Sequence, residues 1–262
     1  MNWNRSSKIL LVSLILTVAA VAPAAAVAVS GENVPDTVQV EKTQDVTFSV
    51  SDLYTNYDTW TLRGHTDLTG VTWTVTTYDQ TDAQLEQVQY NAQNFTHQIS
   101  AEDDVAEVDV RLQGTTPTPE EFSWQYDPAQ TIVLANFQET QEGGAENPLK
   151  TYEARPYTSE SQSARQAIDA AGSAIETAKS AGADTSEAET LRKNAISAYD
   201  NGNFENAQDL ATQSKNDAQG SQQSTERTNM LLYAGIGVVV LLIVIGAVYW
   251  YLKNRETYDK LG

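Results

Sequence analysis

The chain has 262 residues, 16 basic and 35 acidic, for a net charge of −19, and it contains no cysteine. That balance excludes charge-driven binding to nucleic-acid phosphates or anionic headgroups. The missing thiols exclude disulfide staples, thiol catalysis and thiolate metal sites.

Residues 1–28 read as a secretory signal. Arg5 and Lys8 precede an apolar run from Ile9 to Ala22, and Ala24-Ala25-Ala26 and Ala26-Val27-Ala28 each fit an A-x-A cleavage site. No twin-arginine pair precedes the run, which favours Sec-type export. The alternative is a retained anchor, because Ile9 to Val29 is just long enough to span a bilayer.

Residues 31–157 read as β-structure. Val46, Phe48 and Val50 alternate with polar residues, as do Val71, Trp73 and Val75, and Val108, Val110 and Leu112. Thr131 to Phe137 is a shorter apolar run, and turn signals fall at Asp67–Gly70, Gly114, Asp127-Pro128 and Gly143-Gly144. One-sided alternation over six or seven strands predicts an antiparallel, immunoglobulin-like β-sandwich. Gln80 to Asn94 lacks that alternation and reads as a short helix or an excursion between strands.

At Thr158 the period changes. Ala164, Ala167, Ile168, Ala171, Ala174, Ile175 and Ala178 make one helical stripe, which Gly182 is placed to end. Asp184 and Glu187 have capping-box spacing for a second helix. Asp200-Asn-Gly202 breaks that helix, and Asn203 can cap a third carrying Phe204, Ala207, Leu210, Ala211 and Ala218. Residues 158–220 are therefore expected to form a small alanine-rich hairpin or three-helix bundle. Residues 221–229, within a polar stretch that opens as GSQQST, read as a flexible linker.

Met230 to Leu252 is 23 residues without a charge, long enough at ~1.5 Å per residue to cross a ~30 Å hydrocarbon core. Tyr249, Trp250 and Tyr251 stand where an aromatic belt meets the headgroups, and Lys253 and Arg255 follow, predicting a cytoplasmic tail at 253–262. Gly235, Gly237 and Gly246 do not form a G-x-x-x-G pair. Setting aside the charges of the two ends leaves 11 basic and 33 acidic residues between them, or −22. The acids are spread along the chain and lysine is scarce. That favours adaptation to molar salt, where screening shortens the Debye length to ~3 Å, over a surface of clustered cation ligands.

The segment Ala195 to Ala211 (AISAYDNGNFENAQDLA) resembles one tetratricopeptide helix pair, too little for a stacked groove. The order of parts, from secretion signal through β-domain and alanine-rich helices (YTSESQSARQAIDAAGSAI) to membrane helix, resembles haloarchaeal type I cell-surface proteins. The resemblance implies a place in the cell envelope with the N-terminus outside, and no reaction.

Few residues suggest chemistry. His65 and His97 lack metal-ligand spacing, and neither a nucleophile elbow nor a P-loop nor a dinucleotide fingerprint is present, so no catalytic residue and no cofactor are assigned. Glu102, Asp103, Asp104 and Glu107 offer hard oxygen ligands for Ca²⁺, but without EF-hand order, and a solvated acidic turn is the competing reading. Trp60 and Trp124, with Tyr57 and Tyr126 beside them in sequence, are the candidate binding face, against the competing reading of a sandwich-core rim. Asn94-Phe-Thr96 is the glycosylation sequon of the exported region.

The expectation is a non-enzymatic, single-pass surface protein that binds a protein or envelope component through its β-domain, with self-association left open. The alternatives are an accessory subunit docking through the helical segment, and a structural envelope or viral spike protein.

Overall fold

The computed structural model describes residues 26–141, 144 and 146–255. The apolar run read as a secretion signal and the end of the expected tail lie outside the described residues. The described residues are α+β, with ten strands in two five-stranded sheets followed by three helices.

The first sheet has the order β1 (Ala28–Glu32), β3 (Thr43–Ser51), β8 (Glu107–Thr115), β5 (Thr69–Tyr78) and β6 (Gln84–Tyr90). The second has β2 (Thr37–Gln39), β10 (Glu146–Tyr157), β9 (Ile132–Thr140), β4 (Thr59–His65) and β7 (Asn94–Ser100). The inward positions of β3, β5 and β8 are those the alternation marked, and Phe48, Val50, Trp73, Val75, Val108, Val110 and Leu112 are all fully or almost fully buried. The sheets meet face to face through aromatic side chains, with Phe48 edge-on to Phe137 at 5.0 Å and Trp73 beside Phe95 at 5.0 Å. Gly64, opposite Phe95 on the neighbouring strand of the same sheet, leaves room for that ring, because a Cβ there would fall 2.0 Å from it.

Three expectations are corrected here. The β-region begins at Ala28 rather than residue 31, and Val27 is already a core residue at 6% exposure. Pairing is not wholly antiparallel, because β2 runs parallel to β10. The stretch from Gln80 to Asn94 holds a strand, β6, in a hairpin with β5. It escaped the alternation because it is an edge strand wet on both faces, with Leu85 44% exposed, so no burial period is imposed on it.

Helices α1 (Ser159–Ser180), α2 (Ser186–Asp200) and α3 (Phe204–Arg255) follow. The first two end as their glycines dictate. Gly182 and Gly202 adopt φ of +78° and +73°, and the next amide bonds back to the Ala178 and Ala198 carbonyls, closing two Schellman motifs. At the start of α3, Asn203 Oδ1 accepts from the Asn206 amide. The expected Asp184–Glu187 box is absent from α2. Thr185 takes the N-cap position, and Asp184 instead accepts from the Ser186 amide and hydroxyl.

Ala164, Ala171, Ala178, Ala188, Ala195, Ala207, Ala211 and Ala218 are all fully buried between the helices. Each gives one methyl group, but the small side chains let the backbones approach. Ser214 of α3 is thereby able to donate to the Ala188 carbonyl of α2 at 2.6 Å.

The largest departure concerns the linker. Helix α3 passes without a break through 221–229 and on through the apolar stretch. Once nucleated in the bundle, a helix extends through polar residues at one hydrogen bond per residue, and the apolar segment beyond propagates it further. The resulting helix is long and apolar enough to cross a membrane, and its apolar side chains from Met230 to Leu252 are exposed.

Candidate functional site: the joint and the outer sheet face

The four residues expected to form one exposed binding face are separated. Trp60 points inward from β4, is 2% exposed, and donates its indole N–H to the Leu53 carbonyl at 2.8 Å. Its polar neighbours in sequence lie on the opposite face of the strand. Tyr57 packs against the same core from the β3–β4 loop. Trp60 belongs to the sandwich interior, and the partly buried Tyr57 to its rim.

Trp124 and Tyr126 lie instead where the β-domain meets the helices. Tyr126 is 8% exposed, its hydroxyl donates to the Asp169 carboxylate of α1, and its amide donates to Asp200 Oδ1 of α2 at 2.7 Å. The Arg165 guanidinium lies 4.4 Å over the Tyr126 ring and donates to the Tyr126 carbonyl at 3.0 Å. Burial and the Asp169 carboxylate raise the pKa of the Tyr126 hydroxyl above its ordinary value. Trp124 sits edge-on between Phe122 and Phe204. The pair is a joint, locking the loop before β9 into the bundle.

The acidic candidates are also dispersed. Glu102 and Asp103 form a single 3₁₀ turn that Asp104 ends at φ +56°, while Glu107 on β8 accepts from the Ser49 hydroxyl. Among the described residues no group of three or more His, Asp or Glu is arranged to hold a metal ion. The histidines occupy opposite faces of one sheet. His97 points into the core with Nδ1 3.0 Å from the Tyr90 hydroxyl, and burial lowers its pKa. His65 faces outward, its ring nitrogens 2.9 Å from Asn94 Oδ1 and 3.3 Å from Asp67. Asn94 is exposed at the start of edge strand β7. Tyr249, Trp250, Tyr251 and Lys253 are exposed near the end of α3, which Arg255 closes.

Sequence reasoning passed over another surface. The outward positions of β7, β4 and β9 bring Thr59, Thr61, Arg63, Thr96, Gln98 and Thr140 around a shallow depression. Apart from Arg63, which pairs with Glu146, these residues carry no charge. The expanse of neutral hydrogen-bonding groups contrasts with the acidic chain around it. The signal lay in the even spacing of Thr59, Thr61 and Arg63 and of Thr96 and Gln98, which fixes one face but not which strands are neighbours.

No protein family and no curated protein matches the chain. Solved structures with partial likeness include a conjugate transposon protein from Bacteroides vulgatus, 12% identical with a TM-score of 0.25, covering 50% of this chain and 85% of its own. A DUF4466 family protein from Parabacteroides merdae is 12% identical with a TM-score of 0.28, covering 48% of this chain and 44% of its own. An alkylpurine DNA glycosylase from Pseudomonas fluorescens, bound to DNA, is 11% identical with a TM-score of 0.23, covering 51% and 29%. At such scores these likenesses carry no argument.

Proposed function

We propose that the chain is a non-enzymatic, single-pass surface protein of a salt-adapted cell, presenting an immunoglobulin-like domain on a stiff helical mount to a protein or envelope component. The observation that carries this reading is α3, whose first turns bury one face in the bundle and whose uncharged stretch from Met230 to Leu252 is exposed. Twenty-three apolar residues in water would be a severe liability, and a bilayer removes it. The aromatic trio and Lys253 beyond them favour an inside tail, hence an outside β-domain.

The immunoglobulin-like reading rests on strand neighbours. Taking β1, β3 and β8 as A, B and E, and β10, β9 and β4 as G, F and C, reproduces the A-B-E and G-F-C orders, with a buried tryptophan, Trp60, on strand C. Cleavage after Ala26 would leave Val27 in the core, whereas cleavage after Ala28 would remove it. The exposed Asn94 suits a glycan acceptor.

We assign partner binding to the neutral face of β7, β4 and β9, since hydrogen-bonding groups there need shed no charge on contact. The alanine stripe is less suited to docking a partner's helices, being used up inside the bundle.

The test uses the cysteine-free chain. Single cysteines at Thr47 and Lys260 are challenged in intact cells with a membrane-impermeant maleimide, and labelling only at Thr47 is expected. Labelling at Lys260 would overturn the orientation. For binding, Thr61→Glu with Gln98→Glu should abolish co-purification of envelope components in molar salt, and retention of the partner would move the site elsewhere.

A further inference from the structure

Among the described residues Glu139 is a buried carboxylate of a kind that the core should reject. It follows Phe137 on the inward face of β9 and is 0% exposed. Among the described residues no lysine, arginine or histidine pairs with it. Its Oε2 accepts from Asn56 Nδ2 at 3.1 Å and from Asn147 Nδ2 at 3.2 Å, while its buried Oε1 has no partner. Asn147 stands directly opposite on β10, and Asn56 closes the site from the exposed β3–β4 loop.

Neither protonation state satisfies this arrangement. An ionised carboxylate would lie in the core with one oxygen bare and two neutral donors on the other. A protonated one would bury an O–H, or leave an oxygen, without a partner. A half-turn of either asparagine carboxamide, however, brings its Oδ1 to the position of its Nδ2. Glu139 Oε2 would then have one amide oxygen at 3.1 Å from Asn56 and another at 3.2 Å from Asn147. Oxygens sharing a cation at ~2.4 Å in octahedral arrangement lie about 3.4 Å apart, close to the observed separations.

We propose that Glu139, Asn56 and Asn147 form a buried site for one alkali-metal cation, Na⁺ or K⁺. Charge selects the class. One carboxylate with two neutral amides is balanced by a single positive charge, whereas Ca²⁺ would leave an excess charge in the core and normally draws on more carboxylates. The exposed Asn56 provides the way in, because swinging that loop aside uncovers the carboxylate. The cation ties β9, β10 and the β3–β4 loop together at one end of the sandwich.

The test is thermal unfolding of the full chain in detergent at fixed ionic strength, exchanging choline chloride for NaCl or KCl. At a hundred-fold excess over the dissociation constant the midpoint should rise by about 5–10 °C. Glu139→Gln, a neutral isostere, should lose that response and be no less stable than the wild type in choline. Three results would overturn the site: no response in the wild type, an equal response in Glu139→Gln, or stabilisation by micromolar Ca²⁺ in place of the monovalent ions. Should Glu139→Gln not fold, wild-type crystals soaked in thallium(I) decide the matter. An anomalous peak in contact with the Glu139 carboxylate and the Asn56 and Asn147 carboxamides supports the site, and its absence removes it.

Discussion

His97 is a histidine placed where its charged form is disfavoured. Burial between the sheets lowers its pKa, and the Glu86 carboxylate only partly opposes that. With the folded value below the unfolded ~6.5, the unfolded chain binds more protons under that pH. Stability is therefore fully present above ~6.5 and is lost as the pH falls from there toward the folded value. The slope is up to about 1.4 kcal/mol per pH unit for one proton. Urea midpoints of the full chain at pH 7.5 and 5.5 should differ in the wild type and converge in His97→Gln. Equal differences in both would assign the acid sensitivity to carboxylates. Asp109 carries the opposite sign. Burial, Glu107 and Glu32 raise its pKa, so its ionisation at neutral pH opposes folding and Asp109→Asn should raise the melting temperature.

At the scale of elements, the joint around Trp124 and Tyr126 decides whether sandwich and bundle behave as one unit. The bundle buries mostly alanine, which gives far less than leucine or isoleucine would. Its aromatic contacts with the β-domain are then a large share of what holds it. Trp124→Ala should cost about 2–4 kcal/mol and split a single calorimetric transition into two, the bundle melting first. A variant that still melts in one transition would place the coupling elsewhere.

The same scale shows what the sequence could and could not disclose. Strands β3, β5 and β8 were legible because each has one dry and one wet face. The alanine–isoleucine stripe of α1 was legible for the equivalent helical reason. Strand β6 was not, having no dry face. For Trp60 the core reading holds over the surface reading that its polar neighbours suggest, and its parity with Leu62 already turns it inward. Glu139 shares the inward parity of Phe137, so its burial could have been inferred. Its lack of a counter-charge could not, since Asn56 and Asn147 reach it only through the folded pairing of β9, β10 and the β3–β4 loop.

For the whole molecule, the continuity of α3 converts a presumed hinge into a mount. A flexible linker over residues 221–229 would let the β-domain sample many heights and tilts, with short and variable spacing between its ends. An unbroken helix fixes both. From Asn206 in the bundle to Asn229 at the edge of the apolar stretch, 23 residues at ~1.5 Å each give a separation of about 35 Å. Spin labels on cysteines placed at these two exposed positions, in the cysteine-free chain in bilayers, should report one narrow distance near that value. Ser221→Pro removes an intrahelical bond and clashes with the preceding turn, at about 3 kcal/mol or more. It should broaden the distribution and shift it to shorter distances while leaving the sandwich folded. A broad distribution in the parent chain would restore the hinge. The neutral face of β7, β4 and β9 would then reach its partner by swinging, rather than from a fixed stand-off set by the length of α3.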